Sequence, residues 1–325
     1  MEEFKVGFCD EVPIVANLEC PITQGGKPAS GKVVLRAQED YLTKAFGKSL
    51  TAVCLANNHT LDYGSVGLDD TISLLNNRGI KYFGIGRDQG SLRSWIVVEV
   101  GGLKVGLCGY VCPSTHPVFV TQSCPGVPCL DLRAIRLDIL AMRRQGVSRI
   151  IVSLHWGAEE VTYPKASDIQ IARAIADLGA DMVVGHHSHC IQASEMYRGC
   201  PIFYGLGNAV MPDLDVPNNC DTLGACQKNF VKAQRSWNRR SLAVDFDVVS
   251  KALRVTGLIY NNKQLSSVGL IAPPDRRLVR GRLLQEAAYR CSGFFGNFRN
   301  LSASFIDNPR LPRVAHLRGI FSRRK

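Results

Sequence analysis

A chain of 325 residues, 46% hydrophobic and 21% charged, is long enough to bury a full core and has a globular composition. No run of about 18 apolar residues occurs, which excludes a readable transmembrane helix, and Met1-Glu-Glu-Phe-Lys5 lacks the apolar stretch of a secretory signal. The net charge of +11 is concentrated: residues 276–325 hold twelve Lys/Arg against Glu286 and Asp307, so inference about acidic partners is confined to that tail.

In chain order, Val12–Ala16 is a short apolar run leading into Asn17-Leu-Glu19. Ala52–Ala56 reads as a buried strand that opens onto Asn57-Asn-His-Thr-Leu-Asp-Tyr-Gly64. Val66, Leu68, Ile72 and Leu75 sit near helical spacing up to Asn77, and Gly79 ends that helix. Lys81–Ile85 reads as a strand. Trp95–Val100 and Leu103–Val111 flank Gly101-Gly102, a hairpin signal. Leu132–Arg144 is an amphipathic helix stopping at Gly146, and Ala166–Leu178 is another, stopped by Gly179. Between and after them, Ile150–Leu154 and Met182–Gly185 read as strands.

Beyond residue 190 the pattern turns antiparallel. Ile191–Tyr197 and Pro201–Leu206 flank the turn Arg198-Gly199, and Leu242–Val249 pairs with Ala252–Tyr260. Asn208–Arg240 is long and irregular, as functional loops often are. Pro273-Pro274 marks a boundary, after which Arg277–Tyr289 reads as a basic helix. An α/β first part followed by antiparallel strands predicts two packed sheets with helices outside.

The twelve cysteines are scattered, several within apolar strands, and form no Cys-x-x-Cys unit, so neither a disulfide framework nor a structural zinc site is supported. Cys20, Cys54 and Cys190 adjoin segments rich in histidine or carboxylate; the buried small hydrophobe is their expected role. Reduced thiols and no signal point to the cytoplasm.

Five of the seven histidines lie in three segments: Leu55–Gly64, Ser153–Gly157 and Gly185–Cys190. Each follows a strand, and the carboxyl ends of strands are where open α/β sheets bind ligands. Imidazoles emerging from several strand ends converge most readily on a divalent metal. His187 and His189, two residues apart, suit one centre, with His186 beside them, and His155 ends its own strand. Asn58 can ligate through its amide oxygen, and His59 can give a proton to a leaving group. Glu19 is a carboxylate at a strand end. Asn17, Asn57, Asp62, Glu159, His186 and Asn208 are candidates for the surrounding shell or the substrate.

The runs Asn17-Leu-Glu-Cys-Pro-Ile-Thr23, Ala56-Asn-Asn-His-Thr-Leu-Asp-Tyr-Gly64, His155-Trp-Gly-Ala-Glu159, Val184-Gly-His-His-Ser-His189 and Tyr204-Gly-Leu-Gly-Asn208 resemble the bacterial capsule-synthesis CapA family, which includes a component of poly-γ-glutamate synthesis. Order and spacing fit over about residues 10–262. That family is similar to calcineurin-like metallophosphoesterases, so the resemblance implies a four-layer α/β/β/α sandwich with a site for two divalent ions: manganese, zinc, iron or magnesium. It implies Glu19, Asn58, His155, His187 and His189 as metal ligands and His59 with Asn58 as the catalytic pair. One departure is that the family begins with a strand ending in Gly-Asp. Here the expectation is that this first strand is absent, with Phe4–Cys9 and Asp10 as its only imitation. Ser188 and Ala209 are milder departures.

The resulting expectations are a family-type domain at residues 1–262 and a basic C-terminal extension at 263–325. The expected role is in capsule or polyglutamate synthesis, by metal-assisted hydrolysis or transfer. The alternatives are a general metal-dependent phosphoesterase and a non-catalytic subunit that binds polymer or scaffolds its synthesis. Expected partners are the polymer or its machinery and, through the tail, an anionic membrane surface, with no nucleic acid. The expected location is cytoplasmic or peripheral to a membrane, with an upstream anchor compatible if the N-terminus is truncated.

Overall fold

The computed structural model describes residues 12–271, apart from 48, 217, 220–228 and 263, together with 285–290 and 292. The chain begins with β1 (Ile14–Asn17), the two-residue β2 (Lys32–Val33), α1 (Asp40–Phe46), β3 (Leu50–Cys54), α2 (Gly64–Asn77) and β4 (Lys81–Phe83). It continues with β5 (Trp95–Val100), β6 (Leu103–Val111), α3 (Leu132–Arg144), β7 (Arg149–His155), α4 (Ala166–Asp177), β8 (Met182–His186), β9 (Ser194–Tyr197) and β10 (Cys200–Phe203). The short strands β11 (Leu214–Val216), β12 (Asn218–Asn219) and β13 (Phe230–Lys232) precede β14 (Arg240–Phe246), β15 (Leu253–Tyr260) and β16 (Leu265–Leu270).

The central sheet has the order β5-β6-β7-β8-β10-β9. Its four inner strands run parallel, and β5 and β9 are antiparallel edges. Parallel strands covered on both faces need apolar residues on both, and β6 supplies them. Val105, Leu107 and Val111 pack into the cluster that holds Ala52, Cys54 and Phe83 of the parallel sheet β1-β3-β4. Cys108 and Tyr110 join the opposite cluster, with Ile135, Ile139 and Met142 of α3 and Ile169, Ala172 and Ile175 of α4. Leu68 and Leu75 of α2 cover the outside of the β1-β3-β4 sheet.

The antiparallel sheet β14-β15-β16 packs on the central sheet through Leu242 and Val255 on Met182 and Phe203. Ile151 and Phe246 touch both clusters, so the two smaller sheets share one face of the central sheet. The result is the expected α/β/β/α sandwich: α2, two small sheets side by side, the six-stranded sheet, then α3 and α4.

Two differences from the sequence reading concern the end of the domain. The third sheet runs past residue 262, because β16 pairs antiparallel with β15 within the stretch read as an extension. The loop 208–240 is not wholly irregular: β11 pairs with β13, and β12 with β2. Asp10 and the Phe4–Cys9 segment lie outside the described residues, as does most of the 277–289 helix, although residues 285–290 are helical.

Gly185 of β8 is fixed by a close approach. A Cβ there would lie 2.0 Å from the Tyr204 carbonyl oxygen and 2.5 Å from Trp156 Nε1. Those two atoms hydrogen-bond at 3.0 Å across the strand ends, and the rings of Trp156 and Tyr204 stack 6.0 Å apart. Trp156 is 2% exposed.

Candidate metal centre

Strand register brings the histidines together. Val111, His155 and His186 are neighbours across β6, β7 and β8, so these parallel strands end level. On the facing sheet, Asn17 pairs with Cys54, and β1 and β3 end level too. Segments 17–19 and 57–59 thus meet 155 and 187–189 at one end of the sandwich. Contact across the two sheets is direct: His155 Nε2 lies 2.8 Å from Asn58 Oδ1.

Two groups of donor atoms form there. Glu19, His155 and His187 each offer an atom within 4.8 Å of the others, and so do Glu159, His187 and His189. Glu19 Oε1 lies 3.7 Å from His155 Nε2 and 3.5 Å from His189 Nε2. The His155 and His187 ring centroids are 4.7 Å apart. His187 and His189 hold positive φ, 82° and 51°, where a side chain other than glycine is strained; such strain gathers at ligand sites.

Burial sets the charge of these rings. It pushes His155 well below the ordinary histidine range, helped by His187, His186, His189 and His59. Burial also lowers His187 to about 3, with help from His189, His59, His116 and Lys32, and lowers His186 to about 4. The Glu19–His155 contact is therefore not an ion pair at neutral pH, whatever its distance suggests. A neutral imidazole is the form that binds metal.

Unsatisfied atoms test whether a cation fits. Glu19 Oε1, His155 Nδ1, His187 Nδ1 and Asn17 Oδ1 are buried without a hydrogen-bond partner. Buried polar atoms are nearly always paired, and the orphan Glu19 Oε1, within 3.7 Å of His155 Nε2 and 3.5 Å of His189 Nε2, calls for a missing ion or water. One carboxylate oxygen, one amide oxygen and three imidazoles match a borderline divalent metal. The residues fit such an ion.

Around the donors lies a hydrogen-bonded shell. His189 Nδ1 is 2.9 Å from Asn208 Oδ1. Asn208 donates to the Asn238 carbonyl at 3.0 Å, and Asn238 donates back to the His189 carbonyl at 3.0 Å. His59 Nδ1 lies 2.6 Å from Asp62 Oδ2, while Asp62 also accepts from the Leu35 backbone and faces Lys32 at 2.6 Å. Lys32 donates to the Asn58 carbonyl at 2.6 Å. Asn57 holds the turn: its Oδ1 accepts from the His59 backbone and from Thr60 Oγ1, and its Nδ2 donates to the Leu18 carbonyl. Asn17 donates to Glu19 Oε2 at 3.4 Å.

Glu19, Asn58, His155, His187 and His189 are thus brought together, with His59 near enough to depress both His155 and His187. His186 joins neither donor group. Sequence reading passed over Lys32, Asn238 and His116. Lys32 stands in the two-residue β2 and Asn238 in a polar loop, with no motif to mark either, and His116 is an isolated histidine after a Pro-Ser-Thr turn. Cys20 is pushed up to about 12 by burial, then by Glu19 and Asp62, and stays a thiol. Cys54, Cys108, Cys112, Cys124, Cys129 and Cys200 are likewise free thiols.

The family description for the bacterial capsule synthesis protein PGA_cap matches residues 12–213. The chain belongs to that family. PGA biosynthesis protein CapA of Bacillus subtilis (strain 168) is 30% identical over 200 residues, which is 61% of this chain and 52% of that protein. A probable polyglutamine synthesis accessory protein of Mycobacterium tuberculosis (strain ATCC 25618 / H37Rv) is 35% identical over 206 residues, 60% of this chain and 54% of its own. The chain spans about half the length of these curated relatives. Among solved structures, a 5'-nucleotidase precursor from Thermus thermophilus aligns with 75% of this chain and 43% of its own, at 20% identity and TM-score 0.36. All the donor residues named above fall inside the stretch matched by the capsule synthesis family.

Proposed function

We propose that this capsule synthesis family member carries out metal-assisted hydrolysis or transfer at a phosphoester or acyl-phosphate during the making or export of an anionic capsular polymer such as polyglutamate. The observation that carries the reading is the meeting of Glu19, Asn58, His155, His187 and His189 with buried, unpartnered donor atoms. A divalent ion bound there would supply Lewis acidity toward a phosphoryl or acyl-phosphate oxygen. Burial keeps His155 and His187 neutral, so neither must lose a proton to bind. Asn208 fixes the His189 ring from its far nitrogen. Asp62 holds His59 by Nδ1, which leaves Nε2 to exchange a proton with a leaving group. Lys32 and the Leu35 backbone fix Asp62 in turn. The basic stretch 276–325 would hold the protein near the polymer or an anionic membrane surface.

The test is metal content of the purified protein, then turnover of bis-p-nitrophenyl phosphate and of acetyl phosphate with manganese, zinc or magnesium. The expected result is bound metal and metal-dependent turnover. His59→Ala should keep the metal while turnover falls roughly 10²–10⁴-fold. A protein that binds no metal and turns over neither compound, yet binds polyglutamate, would be a non-catalytic subunit.

A further inference from the structure

We infer that Glu159 is itself a metal ligand and closes a second position with His187 and His189, an assignment that rests on the metal-centre reading above. Its carboxylate oxygen lies within 4.8 Å of a ring nitrogen of each. That is little more than twice a ligand–ion distance of about 2.0–2.2 Å, and an exposed carboxylate can rotate to close the gap. His187 is 8% exposed and its Nδ1 has no hydrogen-bond partner, so that ring nitrogen is not tied to a neighbouring group. His187 also stands beside Glu19 and His155, so the two positions adjoin; a neutral imidazole has one free lone pair, so with both positions filled His187 serves the Glu159 position while Glu19, His155 and Asn58 hold the other.

The loop after β7 is built to deliver this side chain. Glu160 sits at φ 60°, a strained value for glutamate, and its backbone nitrogen donates to the Ser188 carbonyl at 2.8 Å, between the two histidines. The Glu160 carboxylate is engaged elsewhere, on Lys232 of β13 at 2.6 Å. The strain and the Ser188 bond therefore position the neighbouring carboxylate, not Glu160's own. Further along the same loop, Ser292 bonds the backbone and hydroxyl of Thr162 at 3.0 and 2.9 Å, and Gln285 donates to the Pro164 carbonyl at 2.9 Å. The loop is thus tied at its start to the histidine segment and at its end to Gln285 and Ser292. One carboxylate and two imidazoles leave coordination open for a substrate oxygen, as a catalytic position requires.

The experiment uses the full chain, stripped with a chelator and titrated with manganese, following affinity and stoichiometry by calorimetry and elemental analysis. Wild type, Glu159→Gln and His155→Ala are compared, with thermal melts of each metal-free form. The expected result is two equivalents for the wild type. Glu159→Gln should weaken one of them by about tenfold or more, leave the other intact and keep the metal-free melting temperature. His155→Ala should weaken the other. A Glu159→Gln titration that overlays the wild type overturns this assignment and leaves the centre standing. A wild type that takes up no manganese overturns the metal-centre reading and this assignment with it.

Discussion

Two buried side chains near the centre titrate in opposite senses. In the unfolded chain His187 accepts a proton near pH 6.5, but in the fold it resists until about 3. Between those values the unfolded state binds more protons, so stability falls as pH drops from 6.5. Asp168, in the first turn of α4, behaves the other way. Burial raises it to about 6, against helping contacts from Lys165 and Ser167. Its protonated form is favoured in the fold, so its contribution is full below about pH 4 and is lost as pH rises toward 6. Asp168→Asn should therefore raise the melting temperature at pH 7 and remove the loss between about pH 4 and 6. Melts of the metal-free protein at four pH values check this. A lower melting temperature for the variant at pH 7 would mean the ionised carboxylate is used by the helix start.

At the scale of elements, the strand ends carry the argument, and Gly185 controls how closely they meet. Gly185→Ala puts a methyl group onto the Tyr204 carbonyl and the Trp156 indole, neither of which is a flexible chain end. Overpacking of this kind costs roughly 1–3 kcal/mol. It should also shift His187, two residues on, and weaken manganese binding more than a comparable loss of stability elsewhere; calorimetry beside a thermal melt separates the two effects. Unchanged binding and melting would mean β8 and β10 separate freely. The same elements show what was legible in the sequence. The β5–β6 hairpin was readable because both turn glycines take positive φ, 57° and 75°. The histidine strands were readable because strands covered on both faces are uniformly apolar. The β11–β13 ribbon was not, because its strands have three residues each, too few for a period-two pattern to stand out from an irregular loop. The strand β16 was missed although Asn262, at φ 73°, marks the turn before it, because Ser266 and Ser267 dilute its apolar pattern. At the site, motif residues were legible. Lys32 and Asn238 were not, since a partner brought by a remote loop leaves no local pattern.

For the whole molecule, the division between domain and tail matters most. Gln285 and Ser292 are buried against the loop that carries Glu159, so part of the basic stretch is packed on the sandwich. A chain ending at residue 284 should melt a few degrees lower, since each lost hydrogen bond contributes about 0.5–1.5 kcal/mol and each kcal/mol shifts melting by about 2–4 °C. A chain ending at residue 292 should melt like the full protein but lose salt-sensitive binding to anionic vesicles or polyglutamate. If both truncations melt alike, residues 285–292 add nothing. If the full chain binds neither surface at low salt, the remaining positive charge has another purpose.

The packing of Trp156 has an optical consequence. Of the three tryptophans it alone is buried, next in sequence to His155, with its indole proton committed to a carbonyl and its ring stacked on Tyr204. Its fluorescence is therefore emitted from a dry, rigid surrounding, toward the blue of its two more exposed counterparts. A paramagnetic ion at the neighbouring imidazole would quench that blue component. Occupancy of the centre can then be followed by light, in the unlabelled protein, without any substrate.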